Sequence, residues 1–126
     1  MDYKNIIEEN KDQYLEELFE VIRQKSISAQ NVGMDECANL VAEKMTEAGV
    51  AKVEIIKGDH NPVVYGEHIV SPDAMTLLIY GHYDVQPPDP LDEWNSEPFE
   101  PTIRNGKIFA RGAGDNKGQF MAQILA

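Results

Sequence analysis

Two short stretches of this chain hold residue types that can do chemistry. In Leu77-Leu78-Ile79-Tyr80-Gly81-His82-Tyr83-Asp84-Val85-Gln86-Pro87 an imidazole and a carboxylate stand two positions apart at the end of an apolar, strand-like run. Side chains two apart on extended chain point to the same side, and open α/β sheets bind ligands just beyond the C-terminal ends of their strands. A carboxylate beside an imidazole accepts a hydrogen bond from one ring nitrogen, fixing the tautomer so that the other nitrogen offers its lone pair to a metal. In that reading His82 is the ligand and Asp84 its orienter. A bare His-x-Asp tripeptide also fits a strand-end histidine making a local hydrogen bond. The second stretch, Ala110-Arg111-Gly112-Ala113-Gly114-Asp115-Asn116-Lys117-Gly118, sets Asp115 in a tight turn of small residues at the entrance of a helical pattern. Its glycines are spaced G-x-G-x-x-x-G, not as in the dinucleotide fingerprint, and Lys117 precedes its glycine instead of following it as in a phosphate loop. Nucleotide binding is therefore a minor alternative. On local sequence alone, capping of the helix accounts for Asp115 as well as any other role.

These stretches need elements to position them. Ile7, Tyr14, Leu15, Leu18 and Ile22 recur at helical steps, with Glu8, Glu9, Asp12, Glu16 and Glu20 turned to solvent. Ser26-Ile27-Ser28 interrupts that helix. A second amphipathic pattern runs through Met34, Cys37, Val41, Met45 and Ala48 and closes at Gly49. The β-branched run Val50–Ile56 reads as a strand, and Val63–Val70 and Met75–Tyr80, flanking Ser71-Pro72-Asp73, read as a hairpin. Met75–Tyr80 is apolar on both faces, as central buried strands are. Five of the seven prolines fall between Pro87 and Pro101, which is loop chemistry, and Ile103–Phe109 reads as a small hairpin across Asn105-Gly106. Helices and strands interleaved in this way predict an α/β layered domain.

Composition narrows the function classes. The 126 residues include 11 Lys and Arg against 22 Asp and Glu, a formal charge of −11 at pH 7. Such acidity argues against nucleic-acid and anionic-membrane partners, which need a basic face. With 42% hydrophobic and 26% charged residues, a packed core is expected. The one cysteine, Cys37, rules out an internal disulfide and a Cys-rich zinc module. Without an apolar leader or a bilayer-length run, a cytoplasmic location is expected. The last nine residues read as the opening of a helix without a cap, as in a cut chain.

Taken together, Gly81-His82-Tyr83-Asp84-Val85-Gln86-Pro87, Trp94-Asn95-Ser96-Glu97-Pro98-Phe99-Glu100-Pro101, Asn105-Gly106-Lys107-Ile108 and Arg111-Gly112-Ala113-Gly114-Asp115-Asn116-Lys117-Gly118 resemble, in order and separation, the N-terminal part of the M20 metallopeptidases. The Asp-Val-Gln-Pro and Trp-x-x-x-Pro-Phe pieces look most like its dipeptidase branch. The resemblance implies a three-layer α/β/α zinc-peptidase-like catalytic domain with a mixed sheet, of which residues 1–126 are the N-terminal part. The rest of the catalytic domain and a smaller lid domain, often used for dimerisation, lie outside them. It further implies two zinc ions, replaceable by cobalt or manganese. His82 would ligate one of them, Asp84 would stand behind it, and Asp115 would bridge both, with a cis Asp115-Asn116 bond. The substrates implied are small peptides or N-acyl amino acids, hydrolysed or deacylated at an amide bond. Many relatives have an Asp where Asn116 stands.

The family's general base and remaining ligands have no counterpart after Asp115, so this chain is expected to be silent alone. Two rivals stand beside the hydrolase reading: a non-catalytic fragment that self-associates through an exposed sheet edge, and a nucleotide-binding domain using the Gly112–Gly118 loop. Trp94 and Phe99 are read as anchors of the proline-rich loop, Arg111 and Lys117 as salt-bridge partners, His60 and His68 as surface residues, and Cys37 as a small buried hydrophobe.

Overall fold

A computed structural model describes residues 2–126. The chain opens with helix α1 (Tyr3–Arg23), capped by Asp2, whose carboxylate accepts from the backbone N–H groups of Lys4 and Asn5 at 3.2 and 3.4 Å. The apolar stripe packs from Tyr14 onward and is fully buried at Val21 and Ile22, whereas Ile7 is exposed. The first turns of α1 therefore do not share in the core. A single 3-10 turn at Ser28–Gln30 leads into α2 (Met34–Glu47), which buries Met34, Cys37, Ala38 and Val41; Ala48 stays outside. Lys44, also buried, reaches Glu20 at 2.8 Å and Glu47 at 3.1 Å, tying α2 to α1. Gly49, at φ 87°, ends α2 as expected.

Strands β1 (Lys52–Ile56) and β2 (Val63–Glu67) pair antiparallel, Ile55 opposite Val64, and lie on α2, with Met45 Sδ against Gly66. A second antiparallel pair, β3 (Thr102–Arg104) and β4 (Lys107–Phe109), closes across Asn105-Gly106. Both turn residues have positive φ, 52° and 71°, the backbone that this two-residue turn requires. Helix α3 (Lys117–Ile124) follows and packs on α1 through Lys117 and Met121.

The α/β character is as expected, but the strand pairing differs at one place. β2 pairs with β1 across the Lys57–Pro62 loop and not with Met75–Tyr80. Met75–Tyr80 forms no ladder among the described residues and is exposed, Leu77 at 80% and Leu78 at 89%. A segment apolar on both faces needs strands beside it and layers above and below. Residues 2–126 contribute two antiparallel pairs and three helices, and neither pair includes it as a strand.

Candidate metal centre

The chain enters the site at Gly81. A Cβ there would come within 2.8 Å of Phe120 Cβ and 2.9 Å of Asn116 Oδ1, so only glycine lets the backbone approach α3 this closely. The closeness has a use: the His82 N–H donates to Asn116 Oδ1 at 3.0 Å. Asn116 thus acts through its side chain, joining the two motif stretches directly.

Three side chains meet beyond this joint. His82 Nδ1 faces both the carbonyl and the carboxylate Oδ1 of Asp84, each at 3.1 Å. Its Nε2 lies 3.0 Å from Asp115 Oδ1. Partial burial, the largest single influence on His82, works against the imidazolium. The carbonyl and carboxylate of Asp84 and the carboxylate of Asp115 outweigh it, and the pKa is raised. Asp115 is well exposed and the His82 and Asp84 side chains are partly so, leaving the cluster open to an incoming ion. Asp115 does not cap α3: Asn116 occupies the cap position and no side-chain bond is made there. The Asp115-Asn116 peptide bond is cis.

The donor set suits a zinc-like ion. An imidazole nitrogen and a carboxylate oxygen about 3.0–3.5 Å apart can share one ion at bond lengths of about 2.0–2.2 Å. The carboxylate on the far ring nitrogen is the usual partner of a metal-ligating histidine. Among the described residues, no three His, Cys, Asp or Glu side chains gather around a common point that could hold a metal. His82 and Asp115 thus offer two donors, one or more short of a catalytic zinc's complement.

Spacing alone had no means of revealing the residues that hold this cluster. The Ser28 hydroxyl donates to Asp84 Oδ2 at 2.6 Å, the Ser26 hydroxyl donates to the Tyr83 carbonyl at 2.6 Å, and the Val85 N–H donates to the Ser26 carbonyl at 2.8 Å. Ile27 bridges Val85 in parallel fashion. The Tyr83 hydroxyl donates to the Pro62 carbonyl, and burial pushes its pKa up to about 12. Among the described residues, neither basic residue of the second stretch has the expected salt-bridge partner. Lys117 is fully buried and donates to the Val21 and Gln24 carbonyls at 2.9 and 2.6 Å, because the C-terminal carbonyls of α1 have no helical donors left. It is thereby turned away from any phosphate at the Gly112–Gly118 loop. Arg111 donates to the Pro87 carbonyl at 3.3 Å and lies over Trp94, whose indole N–H donates to Pro88 at 2.7 Å. Trp94 therefore anchors the proline-rich loop. Phe99 is partly buried under Lys25, Cys37 is buried, and His60 and His68 are exposed.

An open groove of about 450 Å³, lined by Asp89, Trp94, Arg104, Phe109, Arg111 and Gly114, reaches the residue preceding Asp115. No helix among the described residues is long and apolar enough to cross a membrane.

Residues 78–126 match the family described as Peptidase family M20/M25/M40. Succinyl-diaminopimelate desuccinylase of Ralstonia pickettii is 35% identical over 85% of this chain and 28% of its own length. Cys-Gly metallodipeptidase of Schizosaccharomyces pombe is 32% identical over 96% of the chain and 28% of its own. Among solved structures, an M20 family metallo-carboxypeptidase from Sulfolobus solfataricus superposes with a TM-score of 0.83 at 47% identity, covering 88% of this chain and 25% of that one. Human carnosine dipeptidase 1 gives 0.86 at 30% identity over 95% and 28%. The chain thus spans about 28% of the length of the curated relatives it matches. With four motifs in family order on a matching backbone, the chain is similar over nearly its whole length to one part of the M20 family metallopeptidases, and residues 78–126 match the family itself.

Proposed function

We propose that residues 1–126 form the N-terminal part of the catalytic domain of a dinuclear zinc hydrolase that cleaves peptide or N-acyl amide bonds in small substrates. The observation that carries this is the line Asp84, His82, Asp115: a carboxylate on one ring nitrogen, and a second, exposed carboxylate 3.0 Å from the other. In this reading His82 and Asp115 would hold zinc, with cobalt or manganese as substitutes. The chemistry that divalent ions held there would supply is Lewis-acid polarisation of the scissile carbonyl and a lowered pKa of the attacking water. The chain's own residues would supply the rest. Asp84 holds the proton of His82 at Nδ1 and so leaves Nε2 free to ligate. Asn116 fixes the height of the His82 backbone over α3. The groove beside Trp94 and Arg111 seats a small substrate close to Asp115. The cytoplasm is the compartment this reading assigns.

The general base and the remaining ligands belong to the rest of the protein in this proposal, so the 126 residues alone should be silent. The test is metal content and hydrolysis of dipeptides and N-acyl amino acids by the intact protein, beside His82→Ala and Asp115→Ala variants. Two zinc per protomer, lost with activity in both variants, is the expected result. Full activity in either variant would refute the assignment.

A further inference from the structure

We propose that Ser28 is a positioning residue of this site, holding the Asp84 carboxylate so that the His82 imidazole keeps its proton on Nδ1 and presents Nε2 beside Asp115. The proposal rests on reading His82 and Asp115 as metal ligands. A carboxylate's last torsion is broad and nearly two-fold, so a single partner does not fix its plane. Asp84 has two partners on opposite oxygens: Oδ1 faces His82 Nδ1 at 3.1 Å, and Oδ2 accepts from the Ser28 hydroxyl at 2.6 Å. The second distance is in the range of a charge-assisted O–H···O bond.

The imidazole itself is asymmetrically served. Nδ1 has two acceptors, both from Asp84, while Nε2 has only the exposed Asp115 carboxylate. One of the two Nδ1 acceptors is the backbone carbonyl and the other the carboxylate, so the group that orders the carboxylate governs its share of the preference for Nδ1–H.

Ser28 is well placed for this because its backbone is docked independently of its hydroxyl. Ile27 bridges Val85 and Val32, the Ser26 hydroxyl donates to Tyr83, and the Val85 N–H donates to Ser26. Removing the Ser28 hydroxyl leaves all of these contacts standing. Ser28→Ala thus isolates the orientation of Asp84, and Ser28→Thr returns a hydroxyl at the same position.

The test uses the intact protein with three measurements. Zinc affinity is read by competition with a chromophoric chelator. The ring-nitrogen resonances of ¹⁵N-labelled His82 in the metal-free protein at alkaline pH report which nitrogen carries the proton, and the urea midpoint reports the fold. Ser28→Ala should weaken zinc binding about tenfold, the lower end for loss of an outer partner of a metal ligand. It should also raise the fraction of the Nε2–H tautomer and keep one cooperative urea transition, its midpoint lowered by no more than the loss of one hydrogen bond to a charged group, and Ser28→Thr should restore both readings. Zinc binding within about twofold of native together with a single Nδ1–H tautomer in Ser28→Ala overturns the proposal; so does a Ser28→Thr variant that loses as much as Ser28→Ala. Should the native protein take up no zinc, the metal assignment fails, and the tautomer comparison still decides the role of Ser28.

Discussion

Replacing Lys117 with methionine sets two opposed effects of a buried ammonium against each other. Lys117 is fully buried, and its Nζ donates to the Val21 and Gln24 carbonyls at 2.9 and 2.6 Å. Methionine keeps most of the stem's packing and removes both bonds. Hydrogen bonds to a charged donor contribute about 1.5–3 kcal/mol each, net of water, so their loss costs about 3–6 kcal/mol. The thioether buries apolar area that the ammonium does not, returning about 1–2 kcal/mol. The balance is a loss of about 1–5 kcal/mol, carried by the two carbonyls left without donors. Urea unfolding at neutral pH should show a lower midpoint at unchanged slope.

The pH dependence supplies a second reading. Burial lowers the Lys117 pKa below its ordinary 10.5, with Cys37 opposing. Between the lowered value and 10.5 the unfolded chain binds more protons than the folded one, so native stability rises with pH across that window. The deficit of Lys117→Met should therefore widen toward pH 10.5. A variant as stable as native at neutral pH would refute the reasoning, because it would mean that the α1 carbonyls do not need this donor.

Asn116→Ala should leave the His82 N–H without its acceptor and cost about 1–2 kcal/mol, with faster hydrogen exchange at that amide, whereas Asn116→Asp keeps an acceptor and should protect it at least as well. Gly81→Ala should force Phe120 or the backbone to shift and cost about 1–3 kcal/mol, read by urea unfolding. Tyr83 should titrate near 12 by phenolate absorbance. Because its folded pKa is raised, the stability it contributes is complete below about pH 10 and is lost as pH climbs to about 12, a loss that Tyr83→Phe should abolish.

What could be read before the structure follows the range of the interactions. Asn105-Gly106 and Gly49 were legible because a turn or helix end is decided by the residues in it and their positive φ. Both long helices were legible from their period, although Ile7 lies on the stripe and remains exposed. The period reports which face is apolar, not how far along the helix a neighbour extends. Met75–Tyr80 shows the same limit more sharply. Its composition is that of a strand buried on two faces, yet it is exposed here, because strand pairing depends on which partners are present and β1 and β2 pair with each other on α2.

The site divides in the same way. His82 and Asp84 could be singled out because a carboxylate beside an imidazole is a combination that metal sites use, and Asp115 through the resemblance to a known family; the structure brings the three side chains together. Ser28 and Lys117 were out of reach: one meets its partner 56 positions away, the other 93 and 96. Yet these two contacts converge on one short piece of chain, the exit of α1 from Val21 to Ser28. Its first carbonyls are gripped by the residue two after Asp115, and its last residues grip Tyr83, Asp84 and Val85. The 3.0 Å between His82 and Asp115 is therefore held through α1 as well as across the Asn116 bond. A substitution that loosens this exit should disturb both halves of the cluster together, while one at Asn116 should disturb only their junction.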